Sequence, residues 1–233
     1  MEKKFKMEIE FICGDQHVLK YFPIRPAKEV LPEWYSKLKA NDPTIAKCVP
    51  VRDMITSGYI IPNAYEQAVG VEFDGEVDQV GRIYPVERIG EFYTVLDHMT
   101  DPNAGHTHDQ CPVDIKGKKK GYFKINLPWR IKTPKGYSCL FVQPFYQFQD
   151  DITVMPGIID TDEFDLSMIN FPCYLNDVEA FLKPGRPLVQ VIPFKRDNWT
   201  HSLKFEEPTK SSKMNFFLHN MYKRAFHNKK RFE

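Results

Sequence analysis

A mainly β fold is the class that this sequence predicts, on three observations. Between Tyr122 and Arg196, short apolar segments of alternating pattern are separated by Pro and Gly turns, a spacing typical of a sandwich or barrel. The chain holds 18 Pro and 12 Gly, which indicates many stiffened connections. Apolar residues make up 42% of its 233 positions, enough to bury a large core.

Residues 1–121 are predicted to form an N-terminal elaboration of strands and short helices. Alternating apolar positions predict a strand in the segment Lys6 to Phe22. Short helices are expected at Glu33 to Lys39, where Pro32 precedes the first turn, and at Val51 to Ser57. Asp74-Gly75 between alternating apolar residues predicts a hairpin.

Residues 122–196 are predicted to form the β core. A strand, a Pro-x-Gly turn at Pro134 to Gly136 and a second strand account for its first part. Further strands are expected at Thr153 to Ile159, Met168 to Tyr174 and Leu188 to Phe194.

The C-terminal extension, residues 197–233, is predicted to carry an amphipathic basic helix from Ser212 to His227. Its apolar residues recur every three or four positions, and no acid lies between Lys210 and Phe232. Contact with nucleic-acid phosphates is one use of such a segment, and the solvated face of a docked helix is the other. The net charge of +1 gives no wider basic surface and favours the second.

The five cysteines are scattered and odd in number, which favours free thiols in a reducing compartment over a disulfide scaffold. The chain shows neither a signal-peptide pattern nor an apolar run of membrane-spanning length. We therefore expect a soluble protein of the cytoplasm, the host cytoplasm if it is phage-encoded, or of a virion, with no membrane partner.

Three turn motifs follow one another in the core. They read Thr133-Pro134-Lys135-Gly136-Tyr137, Pro156-Gly157-Ile158-Ile159-Asp160-Thr161-Asp162 and Pro184-Gly185-Arg186-Pro187-Leu188-Val189-Gln190. Their order and spacing resemble the trimeric dUTPase and dCTP deaminase superfamily. The resemblance implies a β-clip-like core at residues 122–196 and assembly as a homotrimer.

The same resemblance implies a nucleotide site. Asp160 would act as general base or sugar contact and Asp162 as a ligand of water or of Mg²⁺. The ligand-binding residues expected from the motifs are Tyr137, Lys135, Arg186 and Gln190. Lys135 and Arg186 would take over phosphate contacts.

The phosphate-binding parts of that family are missing from this chain. Its Arg-Ser-Gly contact is replaced by Gln143 to Gln147, no Gly follows Gly185, and no Glu lies between Leu166 and Asn176. Without these parts a triphosphate loses most of its binding energy. The alternative role of Asp160 and Asp162, capping a turn at a strand end, is therefore the favoured one.

Further segments resemble an uncharacterised family found in tailed phages and bacteria. They are Arg25-Pro26-Ala27, Pro32-Glu33-Trp34-Tyr35, Asn126 to Pro134, Asn170-Phe171-Pro172 and Tyr222-Lys223-Arg224. This likeness implies a phage accessory or virion protein with a phage structural or host protein as partner.

A segment from Asp97 to Gly121 is predicted to be a long irregular loop rich in His and Asp. Its candidate metal ligands are His98, His106, His108 and Cys111, which suit Zn²⁺ or Fe²⁺. Their spacing matches no standard site, so a solvated loop without metal is the favoured interpretation.

Three functions follow, in order of preference. The first is a non-catalytic β-clip-like accessory, assembly or virion-associated protein. The second is a divergent nucleotide hydrolase or deaminase-like enzyme, and the third is a metal-binding protein using the His98 to Cys111 loop. Nucleophilic catalysis is set aside, because no Gly-x-Ser-x-Gly turn surrounds any serine.

Overall fold

Antiparallel strands make up most of the ordered structure. A computed structural model describes residues 7–38, 44–70, 73–74, 77–78, 82–85, 122–166, 168–176, 179–205, 221–222, 227–229 and 231–232. Its helices are α1 (Gln16–Tyr21), α2 (Glu33–Ser36) and α3 (Val49–Thr56). Its strands are β1 (Glu10–Cys13), β2 (Arg25–Pro26), β3 (Tyr59–Pro62), β4 (Gln67–Gly70), β5 (Phe73–Asp74), β6 (Val77–Asp78), β7 (Arg82–Pro85), β8 (Tyr122–Asn126), β9 (Trp129–Lys132), β10 (Tyr137–Val142), β11 (Ile152–Val154), β12 (Gly157–Ile159), β13 (Asn170–Leu175), β14 (Glu179–Leu182) and β15 (Pro187–Lys195).

The strands form open antiparallel sheets. The largest has the order β12-β10-β15-β3-β2, and two smaller ones have the orders β11-β13-β8 and β14-β4-β7. Two further pairs are β1-β9 and β5-β6. The predicted mainly β class is confirmed, and the described strands do not close into a barrel.

Two of these sheets contribute residues to one hydrophobic core. In the large sheet β10 and β15 pair over their whole length, from Tyr137 opposite Lys195 to Val142 opposite Gln190. Phe141 of β10 contacts Phe171 of β13 with ring centroids 5.6 Å apart, which joins the large sheet to the β11-β13-β8 sheet. Because alternate residues of a strand share a face, Cys139 and Phe141 lie on the core side of β10 and Ser138 lies on its other side.

Strands from the first 121 residues pair with strands of the predicted core. Examples are Phe11 with Ile131, Ile60 with Gln190 and Val69 with Ala180. Hydrogen-bond ladders therefore connect the N-terminal elaboration to the core directly. The domain boundaries stay a prediction.

The segment Lys6 to Phe22 is not one strand, as the sequence pattern had suggested. Only Glu10–Cys13 is extended, and α1 begins directly afterwards. Asp15 caps this helix, because its Oδ1 accepts hydrogen bonds from the backbone N–H groups of His17 at 2.8 Å and Val18 at 3.2 Å. An Asp N-cap was therefore the missed signal.

Other local predictions held with shifted bounds. Both short helices are present as α2 and α3, and Asp74 pairs with Val77 as the predicted hairpin requires. The predicted strand Thr153 to Ile159 is interrupted before Gly157 and forms β11 and β12. Most of the predicted helix Ser212 to His227 lies outside the described residues.

Candidate functional site

The predicted carboxylates follow the end of an edge strand. After β12 the chain turns sharply, since the Asp160 carbonyl accepts hydrogen bonds from the N–H groups of Glu163 at 3.0 Å and Phe164 at 2.8 Å. Cys139 pairs with Ile159, so this turn lies beside the Pro134 to Gly136 turn that precedes β10. Two of the three sequence motifs thus meet at one end of the large sheet.

The Asp162 carboxylate is held by hydrogen bonds from Arg196 and Gly136. Its carboxylate accepts two hydrogen bonds from the Arg196 guanidinium, Nη1 to Oδ1 at 2.7 Å and Nη2 to Oδ2 at 2.6 Å. The Gly136 N–H donates to Oδ2 at 2.7 Å. The Asp162 side chain is only 3% exposed, so the bidentate pair is closed to solvent on the carboxylate side.

These bonds hold Asp162 ionised. The Arg196 hydrogen bonds, with help from the Gly136 amide, lower the pKa of Asp162 to about 2 in spite of its burial. A carboxylate with so low a pKa is a poor general base at neutral pH.

Asp160 has a different environment. Its Oδ1 accepts a hydrogen bond from the Ser138 hydroxyl at 2.6 Å and lies 3.2 Å from Arg196 Nη1. Its side chain is 55% exposed. Of the two predicted catalytic residues, Asp160 is therefore the one that a ligand in solution can reach.

A layer of buried hydroxyl groups lies behind the carboxylates. The hydroxyls of Thr133 and Thr161 are 2.7 Å apart, and that of Thr133 also donates to the Tyr137 carbonyl at 3.1 Å. The Thr161 hydroxyl donates to the Cys139 thiol at 3.4 Å. Burial raises the pKa of Cys139 to about 11, so this thiol is no nucleophile at neutral pH. The layer joins β10 to the turn after β12.

Arg196 is the residue of this site that sequence reasoning missed. It was taken only as the boundary of the core, yet it contacts both carboxylates, and its Nη1 also donates to the Tyr137 carbonyl at 3.1 Å. The only local feature that could have indicated a role for Arg196 is its position as a cation directly after a strand. Its partners lie 34 residues or more away in the chain, which no local pattern reveals.

The predicted ligand-binding residues fall at two ends of the large sheet. Lys135 and Tyr137 lie with Asp160 and Asp162 at the start of β10, where Lys135 is exposed. Gln190 lies opposite Val142 at the other end of β10. At about 3.3 Å per residue the two ends are separated by on the order of 17 Å. A single chain does not bring all four residues together, and their binding role stays a prediction.

Arg186 is already paired. Its guanidinium binds the Asp151 carboxylate, with Nη1 donating to Oδ2 at 2.6 Å and Nη2 contacting Oδ1. Nη2 also donates to Gln149 Oε1 at 2.8 Å. The Arg186 hydrogen bonds lower the pKa of Asp151. A phosphate at Arg186 would have to displace this carboxylate.

Gln190 is buried and used inside the chain. Its Oε1 accepts a hydrogen bond from the Phe145 N–H at 2.9 Å. Its Nε2 donates to the carbonyls of Met54 at 3.0 Å and Ser57 at 2.6 Å. The amide thus links β15, the loop after β10 and the end of α3.

The candidate metal ligands His98, His106, His108 and Cys111 lie outside the described residues. Within the described ranges, no group of three His, Cys, Asp or Glu side chains is arranged to hold a metal ion. The described helices also include none that is long and apolar enough to cross a bilayer.

Acid should weaken the Asp162–Arg196 pair. Because the folded pKa of Asp162 is about 2 and the ordinary value for Asp is about 3.9, the carboxylate stabilises the fold above pH 4 and loses that contribution as pH falls toward 2. We expect the urea midpoint of the wild type to fall between about pH 5 and about pH 2, and that of Asp162→Asn to fall less.

The control for this titration is Asp150→Asn, at an exposed carboxylate. It should keep the full acid dependence of the wild type. If Asp162→Asn showed the same fall in urea midpoint as the wild type, the pair would not be a source of the acid dependence.

Comparisons with known proteins give little beyond this geometry. No protein-family model matches the chain, and no curated protein matches it. Among solved structures it is similar to the native dUTPase of EIAV, with 9% sequence identity and a TM-score of 0.39, over 87% of this chain and 99% of the dUTPase. A likeness this distant says nothing about activity, substrate or partners.

Proposed function

We propose that this chain is a non-catalytic, β-clip-like protein that serves as an assembly or binding module. The observation that carries the proposal is the state of Asp162, whose carboxylate is buried and bound by Arg196 and Gly136. A carboxylate engaged in this way supports the structural role expected of a turn-capping residue. Both oxygens of the Asp162 carboxylate are thus already used for hydrogen bonds within the chain.

The stretch that replaces the family's phosphate contact supports the same conclusion. The N–H of Phe145 donates to Gln190, and that of Gln147 donates to the Pro144 carbonyl at 3.1 Å. The Trp34 indole N–H donates to the Tyr146 carbonyl at 2.8 Å. Backbone amides that cradle a phosphate must point at the ligand, whereas the N–H groups of Phe145 and Gln147 donate within the chain.

The setting that we propose is a tailed phage or a bacterium, with the protein as an accessory or virion component. This part of the proposal rests on the sequence resemblance in segments such as Arg25-Pro26-Ala27 and Asn170-Phe171-Pro172.

A divergent nucleotide enzyme is the second candidate, because Asp160 is more than half exposed and has a hydroxyl partner in Ser138. In this alternative Asp160 is the general base or the sugar contact.

Calorimetry and product analysis with a panel of pyrimidine nucleotides and Mg²⁺ separate the two candidates. We expect neither binding heat nor turnover with wild type, since the Asp162 carboxylate is already bound by Arg196 and the N–H groups of Phe145 and Gln147 donate within the chain. Turnover that Asp160→Asn abolishes would overturn the non-catalytic proposal. Turnover that survives in Asp160→Asn would point to a contaminant and leave the proposal standing.

A further inference from the structure

A cleft of about 320 Å³ lies where β15 begins, bounded by the end of α1, by β2 and β3, and by the turn at Gly185. Asp160 and Asp162 lie at the other end of β15, because both contact Arg196, which follows that strand. The strand has nine residues, so at about 3.3 Å per residue the two places are on the order of 25 Å apart. The cleft is therefore separate from the carboxylate site.

The walls of the cleft are apolar and fixed by the fold. Pro62 of β3 lies opposite Pro187 of β15, and neither has a backbone N–H to donate to the ladder. The Phe22 ring lies close to Gly185, where a Cβ atom would meet two ring carbons at 3.8 and 3.9 Å. The Gly185 N–H donates to the Asn63 carbonyl at 2.8 Å, which holds this turn in place. A ligand would enter a space whose shape is already set, and this lowers the entropic cost of binding.

The charged side chains that line the cleft are both cations. They are Lys20 and Arg25, and no Asp or Glu is among the described residues that line it. Both cations are exposed, and neither forms an ion pair with a carboxylate in the described part of the chain. A cleft lined by charges of one sign concentrates ligands of the opposite sign. Its charge therefore selects an anion.

An aromatic ring lies beside these cations. Tyr21 is 53% exposed, and Lys20 Nζ lies 4.9 Å from the centroid of its ring. The His17 ring packs against Tyr21 with centroids 4.7 Å apart. The cleft thus combines an aromatic surface with positive charge, which suits a ligand that carries its anionic group on a flat apolar body.

The rest of the lining narrows the class of ligand. No Ser, Thr, Asn or Gln is among the described residues that line the cleft, so a nucleobase or a sugar would find no such side chain to replace its hydrogen bonds to water. Lys20 and Tyr21 belong to the last turn of α1, and the C-terminal end of a helix carries partial negative charge. This charge disfavours a phosphate dianion more than a carboxylate. The guanidinium of Arg25 matches a carboxylate in shape.

We propose that the cleft is a binding site for a small aryl carboxylate. Its carboxylate binds Arg25 and Lys20, and its ring packs against Tyr21 and the apolar wall at Pro62 and Pro187. The volume is at the small end of the range for ligand sites, about 300–1,000 Å³, which suits an acid with a single ring. This inference goes beyond the proposed assembly or binding role, because it assigns a second site and a class of ligand.

The test is a titration of the full chain with phenylacetate, followed by calorimetry and by amide chemical shifts in NMR. We expect a dissociation constant on the order of 1 mM or below. Phenylacetamide has the same ring without the charge and should bind at least tenfold more weakly. Phenyl phosphate should also bind more weakly than phenylacetate. Because both cations are exposed, high salt should weaken the binding of phenylacetate.

Variants assign the binding to this cleft. Arg25→Gln and Lys20→Gln should each weaken phenylacetate binding at least tenfold, since each removes one charged partner of the carboxylate. The matched control is Lys28→Gln, at an exposed lysine shortly after β2 that does not line the cleft. It should bind phenylacetate as wild type does. All three side chains are exposed, so circular dichroism should show wild-type folding in every variant.

Three results would overturn the proposal: no binding of phenylacetate at ten times the expected dissociation constant, equal binding of phenylacetamide, or wild-type affinity in both cleft variants. Tighter binding of phenyl phosphate than of phenylacetate would overturn the assignment to carboxylates. Pyrimidine-nucleotide turnover that depends on Asp160 would instead overturn the non-catalytic function, so the two failures are distinguishable.

Discussion

Gly58→Ala is expected to abolish stable folding. Gly58 precedes β3 with φ +69, and a Cβ atom there would lie 1.9 Å from the Val191 carbonyl oxygen and 2.9 Å from its carbonyl carbon. Both atoms belong to the backbone of β15, so no side chain can move aside. The pairing of β3 with β15 would have to open, which places the loss above about 4 kcal/mol.

The matched control is Gly136→Ala. Gly136 has φ +87, but a Cβ atom there would meet nothing within 4 Å. The expected loss in the free energy of unfolding is therefore only the cost of placing Ala in a left-handed backbone conformation, about 1–2 kcal/mol. Urea unfolding of both variants, with soluble yield as a second readout, measures the difference. Equal losses would mean that the contact with Val191 does not constrain Gly58.

The turns of this fold could be predicted from the sequence more fully than its long-range hydrogen bonds. Pro134 to Gly136 and Pro184-Gly185 are turns, with positive φ at both glycines, because Gly is the residue that adopts this conformation freely. Turn chemistry is local, so the residues that cause it are adjacent in the chain.

Long-range partners were beyond prediction for a physical reason. The Arg196 to Asp162 bond joins residues 34 apart, and the Gln190 to Met54 bond joins residues 136 apart. Such bonds depend on which strands become neighbours, and hydrophobic periodicity does not specify strand order. The motif thus identified Asp160 and Asp162 as a pair. It did not reveal that the Asp160 side chain is exposed to solvent whereas the Asp162 carboxylate is buried and bound by Arg196.

Gln190→Leu is the second large effect that we expect, and it concerns stability rather than ligand binding. The change removes three hydrogen bonds at once, from the Phe145 N–H and to the carbonyls of Met54 and Ser57. Gln190 is almost completely buried, so water cannot replace them. Unpaired buried polar groups cost about 1–3 kcal/mol each, so a loss of about 3 kcal/mol or more is expected in the free energy of unfolding.

Gln147→Leu is the matched control, because the chemical change is the same but the side chain is less buried and makes fewer hydrogen bonds than that of Gln190. Gln147 is half-buried, and its side chain donates one hydrogen bond, to the Val30 carbonyl at 3.0 Å. The same chemical change should therefore cost about 1 kcal/mol in the urea-unfolding free energy. A Gln190→Leu protein as stable as the Gln147→Leu protein would mean that the three bonds contribute little.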